Sequence, residues 1–496
     1  MNYRILAKVL GLLLLLLSVS MAACGLFAGL DVVAGDHEAM VALFTSAGVT
    51  FLAGTILIFV GLGKIEKIPR REGVVIVGLG WVLSAVFGSL PYLLCPPHLG
   101  WSGAVFEAAS GFTTTGSTVI TDLEKWPRGL LLWRAVSQWL GGIGILVLFV
   151  AVLSYLGVGS KSLFRNESSF QSGEASTARI RDTAMTLLKI YFVISIVCVI
   201  GLRACGLSWY NAVSHSMTAV STGGFSPHNA SIGYYSGWGN GWAIELWISV
   251  IMLICSLNFL IFAVVVRKRW DRVREQNDVR WFIGICVVVS LGIGIGLSLD
   301  DRYSIGFVQA LRESWFIVVS IASTTGFGAT DYELWPAWCK ALLAILMVVG
   351  GCSGSTAGGM KVNRLVVFLK SSAHEIIRAF RPNQVFRLVV NGNPIDETAR
   401  ARTTSFVALY LLIIALGAVV VGMLEAGQGI DLETCLAAVL ATLSNIGPGF
   451  ADLGPTENFS DLRDPTLTFL AGLMILGRLE LFAILVLFVP AAWRRY

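Results

Sequence analysis

FEAASGFTTTGST, from Phe106 to Thr118, has three counterparts in the same chain. They are SHSMTAVSTGGFS from Ser214 to Ser226, WFIVVSIASTTGFGATD from Trp315 to Asp331, and CLAAVLATLSNIGPGF from Cys435 to Phe450. Each opens as a short amphipathic helical run of small and apolar residues, then breaks into polar residues and Gly. Aligned on Gly116, Gly223, Gly326 and Gly447, the four recur at intervals of roughly 100–120 residues, the mark of an internal repeat. The residues before each glycine are Thr113, Thr114 and Thr115; Val220, Ser221 and Thr222; Ser323, Thr324 and Thr325; and Ser444, Asn445 and Ile446. The fourth diverges most, with Pro448 after its glycine.

A dehydrated cation needs several oxygen ligands at once, and an extended segment supplies them when successive carbonyls face one axis. Gly permits the backbone angles that aim a carbonyl inward. A short helix ending at the segment turns its negative end toward the ion. One Gly/Ser/Thr segment reads as a turn. Four at a near-constant period, each between two apolar spans, read as a ring. Irregular backbone at membrane depth is tolerated only where protein buries it or a watery cavity lines it.

The surroundings of these stretches are those of a polytopic membrane protein. Of 496 residues, 55% are hydrophobic and 14% charged, against about 25% charged in ordinary globular proteins. Apolar spans fall near 5–30, 39–63, 73–94, 129–156, 183–205, 242–266, 281–299, 336–369, 404–424 and 467–490. That is an opening pair followed by four repeats of span, middle stretch, span. Basic clusters lie between repeats: Lys64 to Arg71, Lys161 to Arg181, Arg267 to Arg280, and Lys370 to Arg402, with Arg494 and Arg495 at the end. By the positive-inside rule these face the cytoplasm, as do both termini. Because each basic run separates apolar spans, nucleic-acid binding is not expected. The first span bears on targeting. A signal peptide cut near Cys24 is the rival of a retained helix. The run from Val9 to Leu30 continues past Cys24, and at ~1.5 Å per residue it is long enough to cross a bilayer, which favours a retained helix.

GGCSGSTAGGMK, from Gly350 to Lys361, interrupts the span at 336–369 with five glycines: Gly350, Gly351, Gly354, Gly358 and Gly359. Cys352 and Ser353 lie among them. A nucleotide-binding loop would place Lys where Met360 stands, so a broken transmembrane helix is the better reading. Such a loop is either a movable gate or a static packing segment. Arg478 stands within the last apolar run, where a cation is costly and a functional role is the default; its alternative is a structural pair with an acid such as Glu480. The pairs Asp122 and Glu124, Asp331 and Glu333, and Asp452 and Glu457 follow three of the filter-like loops. They either concentrate cations at an outer mouth or are simply solvated. Trp101, Trp126, Trp209, Trp242 and Trp335 flank spans and are expected in interfacial belts. The nine Cys form no C-x-x-C pair and the five His are dispersed, so neither a disulfide framework nor a metal cluster is expected. No H-E-x-x-H or G-x-S-x-G pattern is present, and the chain is not read as an enzyme.

The four repeats resemble the superfamily of K⁺ transporters that includes the bacterial TrkH, TrkG and KtrB proteins and the plant HKT proteins. The resemblance runs from about Arg71 onward, and the opening helix pair is similar to the TrkH and TrkG branch. It implies an all-α fold of four helix, pore-helix, filter, helix repeats around one pore, divided as 1–70 for the helix pair and 71–160, 178–270, 278–372 and 400–496 for the repeats. It implies a K⁺ filter built from Thr114, Thr115, Gly116, Ser221, Thr222, Gly223, Thr324, Thr325, Gly326, Asn445, Ile446 and Gly447. Gly at position 116, where some Na⁺-favouring plant relatives carry Ser, implies K⁺. Gly350 to Gly359 would be the gating loop and Arg478 an electrostatic barrier under the filter. The same resemblance implies the bacterial inner membrane, a homodimer with one pore per subunit, and gating by a cytosolic nucleotide-binding ring of the TrkA type. No cofactor is expected, K⁺ being the transported ion. Membrane lipid is an equal claimant for the basic linkers. A Na⁺-permeable or Na⁺- or H⁺-coupled carrier on the same scaffold remains the alternative.

Overall fold

The computed structural model describes residues 3–30, 36–62, 70–142, 144, 177–266, 276–303, 305–381, 388–390, 393–479 and 481. The chain opens with two long apolar helices, α1 (Tyr3–Leu30) and α2 (Asp36–Val60), packed along each other. Small residues allow the approach. A methyl built on Gly54 would come 2.9 Å from the Gly11 carbonyl oxygen, and the Ser18 hydroxyl donates to Ala47 O at 2.8 Å.

The same sequence of elements then occurs four times. Entering helices are α3 (Arg70–Gly88) continued by α4 (Leu90–Leu94), α7 (Thr177–Ala204), α11 (Asn277–Leu299) and α15 (Glu397–Leu424). Each is followed by a short helix: α5 (Trp101–Phe112), α8 (Trp209–Val220), α12 (Phe307–Ala322) and α16 (Leu432–Leu443). These short helices have 12, 12, 16 and 12 residues, against about 20 for a full crossing. Their small side chains are buried along most of their length, so they fit inside a bundle. Ser208 caps α8 by accepting from Asn211 N at 3.2 Å. Returning helices are α6 (Arg128–Gly142), α9 (Gly241–Ser256) with α10 (Phe259–Val266), α13 (Ala337–Val349) with α14 (Val362–Phe380), and α17 (Asp464–Arg478).

Six helices among the described residues are long and apolar enough to cross a membrane: Tyr3–Leu30, Asp36–Val60, Val75–Leu94, Ala184–Ala204, Asn277–Leu299 and Glu397–Leu424. Four expected spans remain. The parts of 129–156 and 467–490 beyond Gly144 and Leu481 lie outside the described residues. The span at 336–369 breaks at its Gly-rich segment, as expected. The span at 242–266, continuous in its apolar pattern, breaks between Ser256 and Phe259. No glycine or proline announces that break; its cause is tertiary. Ser256 O accepts from Cys352 N at 3.0 Å and Phe259 N donates to Gly354 O at 3.0 Å, so the Gly-rich loop takes the backbone groups the break releases.

Large apolar side chains such as Leu26, Phe51, Phe59, Ile200, Val288 and Leu416 face outward, as a lipid-facing surface requires. Trp101, Trp209 and Trp242 are exposed at the starts of α5, α8 and α9. Trp126 and Trp335 are buried instead, a correction to the interfacial reading. They close turns beneath the loops after the short helices, and Trp335 Nε1 donates to Tyr303 OH at 2.7 Å. All nine cysteines are free thiols and eight are buried. Among the described residues the only strands are Val389–Val390 and Asn393–Pro394, a small antiparallel hairpin.

Candidate functional site

The four short helices stop in the same way. Their C-cap residues Thr113, Ser221, Ser323 and Ser444 keep helical angles. The next residue turns left-handed: φ is 54° at Thr114, 53° at Thr222, 57° at Thr324 and 55° at Asn445. A side chain held there costs of order 1 kcal/mol or more, and such strain clusters where function demands a particular backbone. The third residue bonds back into its own helix: Thr115 N to Ser110 O, Gly223 N to Thr218 O, Thr325 N to Ser320 O, and Ile446 N to Ala441 O, all between 2.8 and 3.0 Å. The fourth is a glycine at positive φ: Gly116 at 94°, Gly224 at 77°, Gly326 at 78° and Gly447 at 98°.

This register corrects the sequence alignment at one position. The counterpart of Gly116, Gly326 and Gly447 is Gly224, and Gly223 matches Thr115, Thr325 and Ile446. Two adjacent glycines left both registers open, and only the helix end decides between them.

The loops close on one another. A Cβ built on Gly116 would collide with Gly223 O, on Gly224 with Thr325 O, on Gly326 with Ile446 O, and on Gly447 with Thr115 O, all inside 3.0 Å. Each glycine therefore backs onto the carbonyl preceding the glycine of the next loop, and the fourth returns to the first. Cross-links tighten the ring. Asn445 Nδ2 donates to Thr115 Oγ1 at 2.9 Å and to Met474 O at 3.0 Å, and Ser117 Oγ donates to Gly447 O at 2.8 Å. Thr114 Oγ1 and Asn445 Oδ1 are buried oxygens with no hydrogen-bond partner.

Behind the ring lies a buried ion pair that sequence reading missed. Arg134 on α6 is 2% exposed and its Nε meets Oε1 of the fully buried Glu107 at 2.6 Å. Glu107 also accepts from Thr118 Oγ1 and Val119 N at 3.1 Å, fixing the first loop. Arg134 Nη1 donates to Ser226 O at 3.1 Å and its guanidinium lies 3.8 Å from the Phe225 ring centre, fixing the second. Breaking such a pair on one side costs about 3–5 kcal/mol.

On one side of the ring is a cavity of about 270 Å³, lined by Gly116, Gly224, Gly326 and Gly447 together with Ser117, His228 and Glu457. Of the acids expected at this mouth, Glu457 lines it, while others serve the surrounding loops. Asp122 pairs with Lys125 at 2.7 Å, and that hydrogen bond holds its carboxyl below the usual carboxylate range. Glu124 accepts from Asn229 N, Asp331 from Glu333 N, and Asp452 from the Thr434 hydroxyl. Glu333 pairs with Lys340 at 2.9 Å. Burial pushes the His228 imidazole below its usual range, against the pull of Glu124.

On the other side the Gly-rich loop runs beneath three of the four helix ends. Gly358 N donates to Thr324 Oγ1 at 2.6 Å. Thr356 Oγ1 donates to Val220 O at 3.3 Å and to Cys255 O at 3.1 Å, and it accepts from Thr222 Oγ1 at 3.3 Å. A Cβ on Gly358 would collide with Ser444 O. Gly350, Gly354 and Gly359 take positive φ of 69°, 77° and 72°, which lets the chain double back so that Met360 N reaches Val348 O and Val362 N reaches Gly351 O. Cys352 is fully buried and Ser353 partly so. Arg478 completes the assembly. Its Nη1 donates to Thr356 O at 2.8 Å, and its Nη2 donates to Gly141 O at 2.7 Å and Gly142 O at 3.2 Å. One guanidinium thus ties the loop to the end of α6. Glu480, the acid suggested as its partner, lies outside the described residues.

Residues 49–495 match the TrkH family, described as cation transport protein. The Trk system potassium uptake protein TrkH of Halomonas elongata is 35% identical, over 100% of both chains. The protein of the same description from Escherichia coli K12 is 33% identical, also over 100% of both. The E. coli K12 Trk system potassium uptake protein TrkG is 32% identical over 86% of each. The crystal structure of the potassium transporter TrkH from Vibrio parahaemolyticus superposes with a TM-score of 0.86 at 33% identity, covering 100% of both chains. With the family matched over nine-tenths of its length and a solved member sharing its whole fold, this chain belongs to the TrkH family of cation transport proteins.

Proposed function

We propose that this chain takes up K⁺ across the bacterial inner membrane, through the ring of four loops. The observation that carries the reading is the cyclic closure of Gly116, Gly224, Gly326 and Gly447 on the carbonyls of Gly223, Thr325, Ile446 and Thr115. Four backbone oxygens, one from each loop and each set against the glycine of its neighbour, offer a dehydrated cation the ligands it needs. The filter then comprises Thr114 to Gly116, Thr222 to Gly224, Thr324 to Gly326 and Asn445 to Gly447, with Ser221 as the helix-end residue of the second loop. Residues 71–160, 178–270, 278–372 and 400–496 act as the four quarters of one pore, with 1–70 packed outside it. The names of the similar proteins, potassium uptake proteins of the Trk system, support K⁺ as the cargo. Flux into proteoliposomes of the full-length chain, with K⁺, Rb⁺, Na⁺ and Li⁺ in competition, is the test. K⁺ and Rb⁺ should compete for uptake and Na⁺ and Li⁺ should not; strong Na⁺ flux would favour the Na⁺ carrier.

The loop from Gly350 to Gly359, with Arg478, serves as the gate in this reading. Both sit on the far side of the ring from the cavity. Shortening the stretch from Cys352 to Gly358 should give a protein that conducts more freely. Full control of flux in a folded, shortened variant would remove the loop from that role.

Finer assembly follows the family. The functional unit is a homodimer with one pore per subunit and both termini in the cytoplasm. A cytosolic nucleotide-binding ring of the TrkA type docks on the basic linkers. Of these linkers, Lys161 to Glu174 and Arg267 to Glu275 lie outside the described residues.

A further inference from the structure

Loops one and three share a device that loop two lacks. In the first, the hydroxyls of Thr113 and Thr115 pair at 2.7 Å; in the third, those of Ser323 and Thr325 pair at 2.7 Å. The second loop keeps the helix-end hydroxyl, on Ser221, but has Gly223 where Thr115 and Thr325 stand. Backbone geometry does not call for that glycine, since Gly223 is not among the residues at positive φ. Space does. A Cβ there would come inside 3.0 Å of Cδ, Oε1 and Nε2 of Gln138.

Gln138 lies on α6 and is fully buried. Its Nε2 donates to Gly223 O at 2.7 Å and its Oε1 accepts from Phe225 N at 3.0 Å. One turn earlier on the same helix, Arg134 grips Ser226 and Phe225. A helix of the first repeat therefore holds the second loop from Gly223 to Ser226. Of the four ring carbonyls, Gly223 alone accepts a side-chain hydrogen bond among the described residues. An amide N–H on a carbonyl oxygen fixes its position, so this oxygen meets a cation as a more rigid ligand than its three counterparts.

We propose that Gln138 is a selectivity-determining positioning residue. Its amide stands in for the threonine side chain of loops one and three, and it sets the placement of one ring oxygen. The proposal rests on reading the ring as the filter.

The test uses the full-length protein in proteoliposomes, with K⁺ and Na⁺ competing for uptake. Gln138→Leu keeps bulk and removes both hydrogen bonds. It should lower the preference for K⁺ over Na⁺ by about tenfold, the scale of one lost buried hydrogen bond. The half-saturating K⁺ concentration should rise more than maximal flux falls. Gly223→Thr alone should collide with Gln138 and lose preference further. Gly223→Thr combined with Gln138→Ala rebuilds the pattern of loops one and three, with Ser221 as the hydroxyl partner. It should recover preference well above the Gly223→Thr single variant, a non-additive result that general destabilisation would not produce. A double variant no better than Gly223→Thr overturns the stand-in. Wild-type preference in Gln138→Leu, while Gly224→Ala loses it, overturns the role of Gln138 and leaves the ring as the filter. If neither Gln138→Leu nor Gly224→Ala changes preference, the filter reading falls and takes this proposal with it. Should Gly223→Thr not fold, the Gln138→Leu comparison still decides.

Discussion

Alanine at Gly224 should collapse the preference for K⁺ over Na⁺, while alanine at Gly237 leaves it unchanged. Two effects act together at Gly224. Its φ of 77° is left-handed, which costs an L side chain roughly 1–2 kcal/mol. The added methyl would also overlap Thr325 O, an oxygen of the ring itself. That oxygen cannot yield without leaving its place in the ring. A shift worth about 1.4–2 kcal/mol between the two bound ions is a ten- to thirtyfold change in preference. Gly237 has nothing within 4 Å and an ordinary φ, so the same methyl is harmless there. Gly116→Ser should act in the same direction, because its side chain would run into Gly223 O at a φ of 94°. Competition of K⁺ and Na⁺ against labelled Rb⁺ uptake measures both. Intact preference in a folded Gly224→Ala protein would mean that these carbonyls do not face the ion.

Arg478→Ala should raise basal cation flux by about tenfold or more. A fixed positive charge ~8 Å from a passing K⁺ opposes it by about 2 kcal/mol at an effective dielectric constant of ~20. The substitution removes that barrier. It also takes the donors from Thr356 O, Gly141 O and Gly142 O, releasing the loop from α6. Arg478→Lys should fall between wild type and alanine, since one ammonium lacks the planar fork that spans Thr356 and Gly141 together. Rb⁺ efflux from proteoliposomes gives the number. Flux that stays level or drops in well-expressed Arg478→Ala would assign the side chain to structure alone.

Much of this architecture is legible in the sequence because it is written locally. A short run of small apolar residues ending in Ser or Thr and Gly specifies both a helix that stops and a loop that turns, and it recurs four times. The Gly350 to Gly359 break is equally local, because five glycines cannot hold a helix. What escaped notice depends on distant partners. Gln138 sits in an unremarkable helix until Gly223 comes to it from the next repeat. Glu107 and Arg134 are 27 residues apart and find each other only behind the loops. The register of the second loop failed by one residue because Gly223 and Gly224 look alike as letters, one serving space and the other backbone angle. Trp126 and Trp335 are buried although they flank spans, because proximity to spans does not reveal the turns that cover them.

The interruption between α9 and α10 bears on any movement of the Gly-rich loop. Ser256 O, Cys255 O and Phe259 N find their hydrogen bonds on Cys352, Thr356 and Gly354 of the loop. Two broken helices thus quench each other's backbone dipoles in a place that water does not reach. If the loop withdraws, those groups are stranded together, each at about 1–3 kcal/mol. The withdrawal must therefore be accompanied by wetting, or by the two half-helices joining into one. If the loop is the gate, opening begins as a hydration transition rather than as the swing of a single segment.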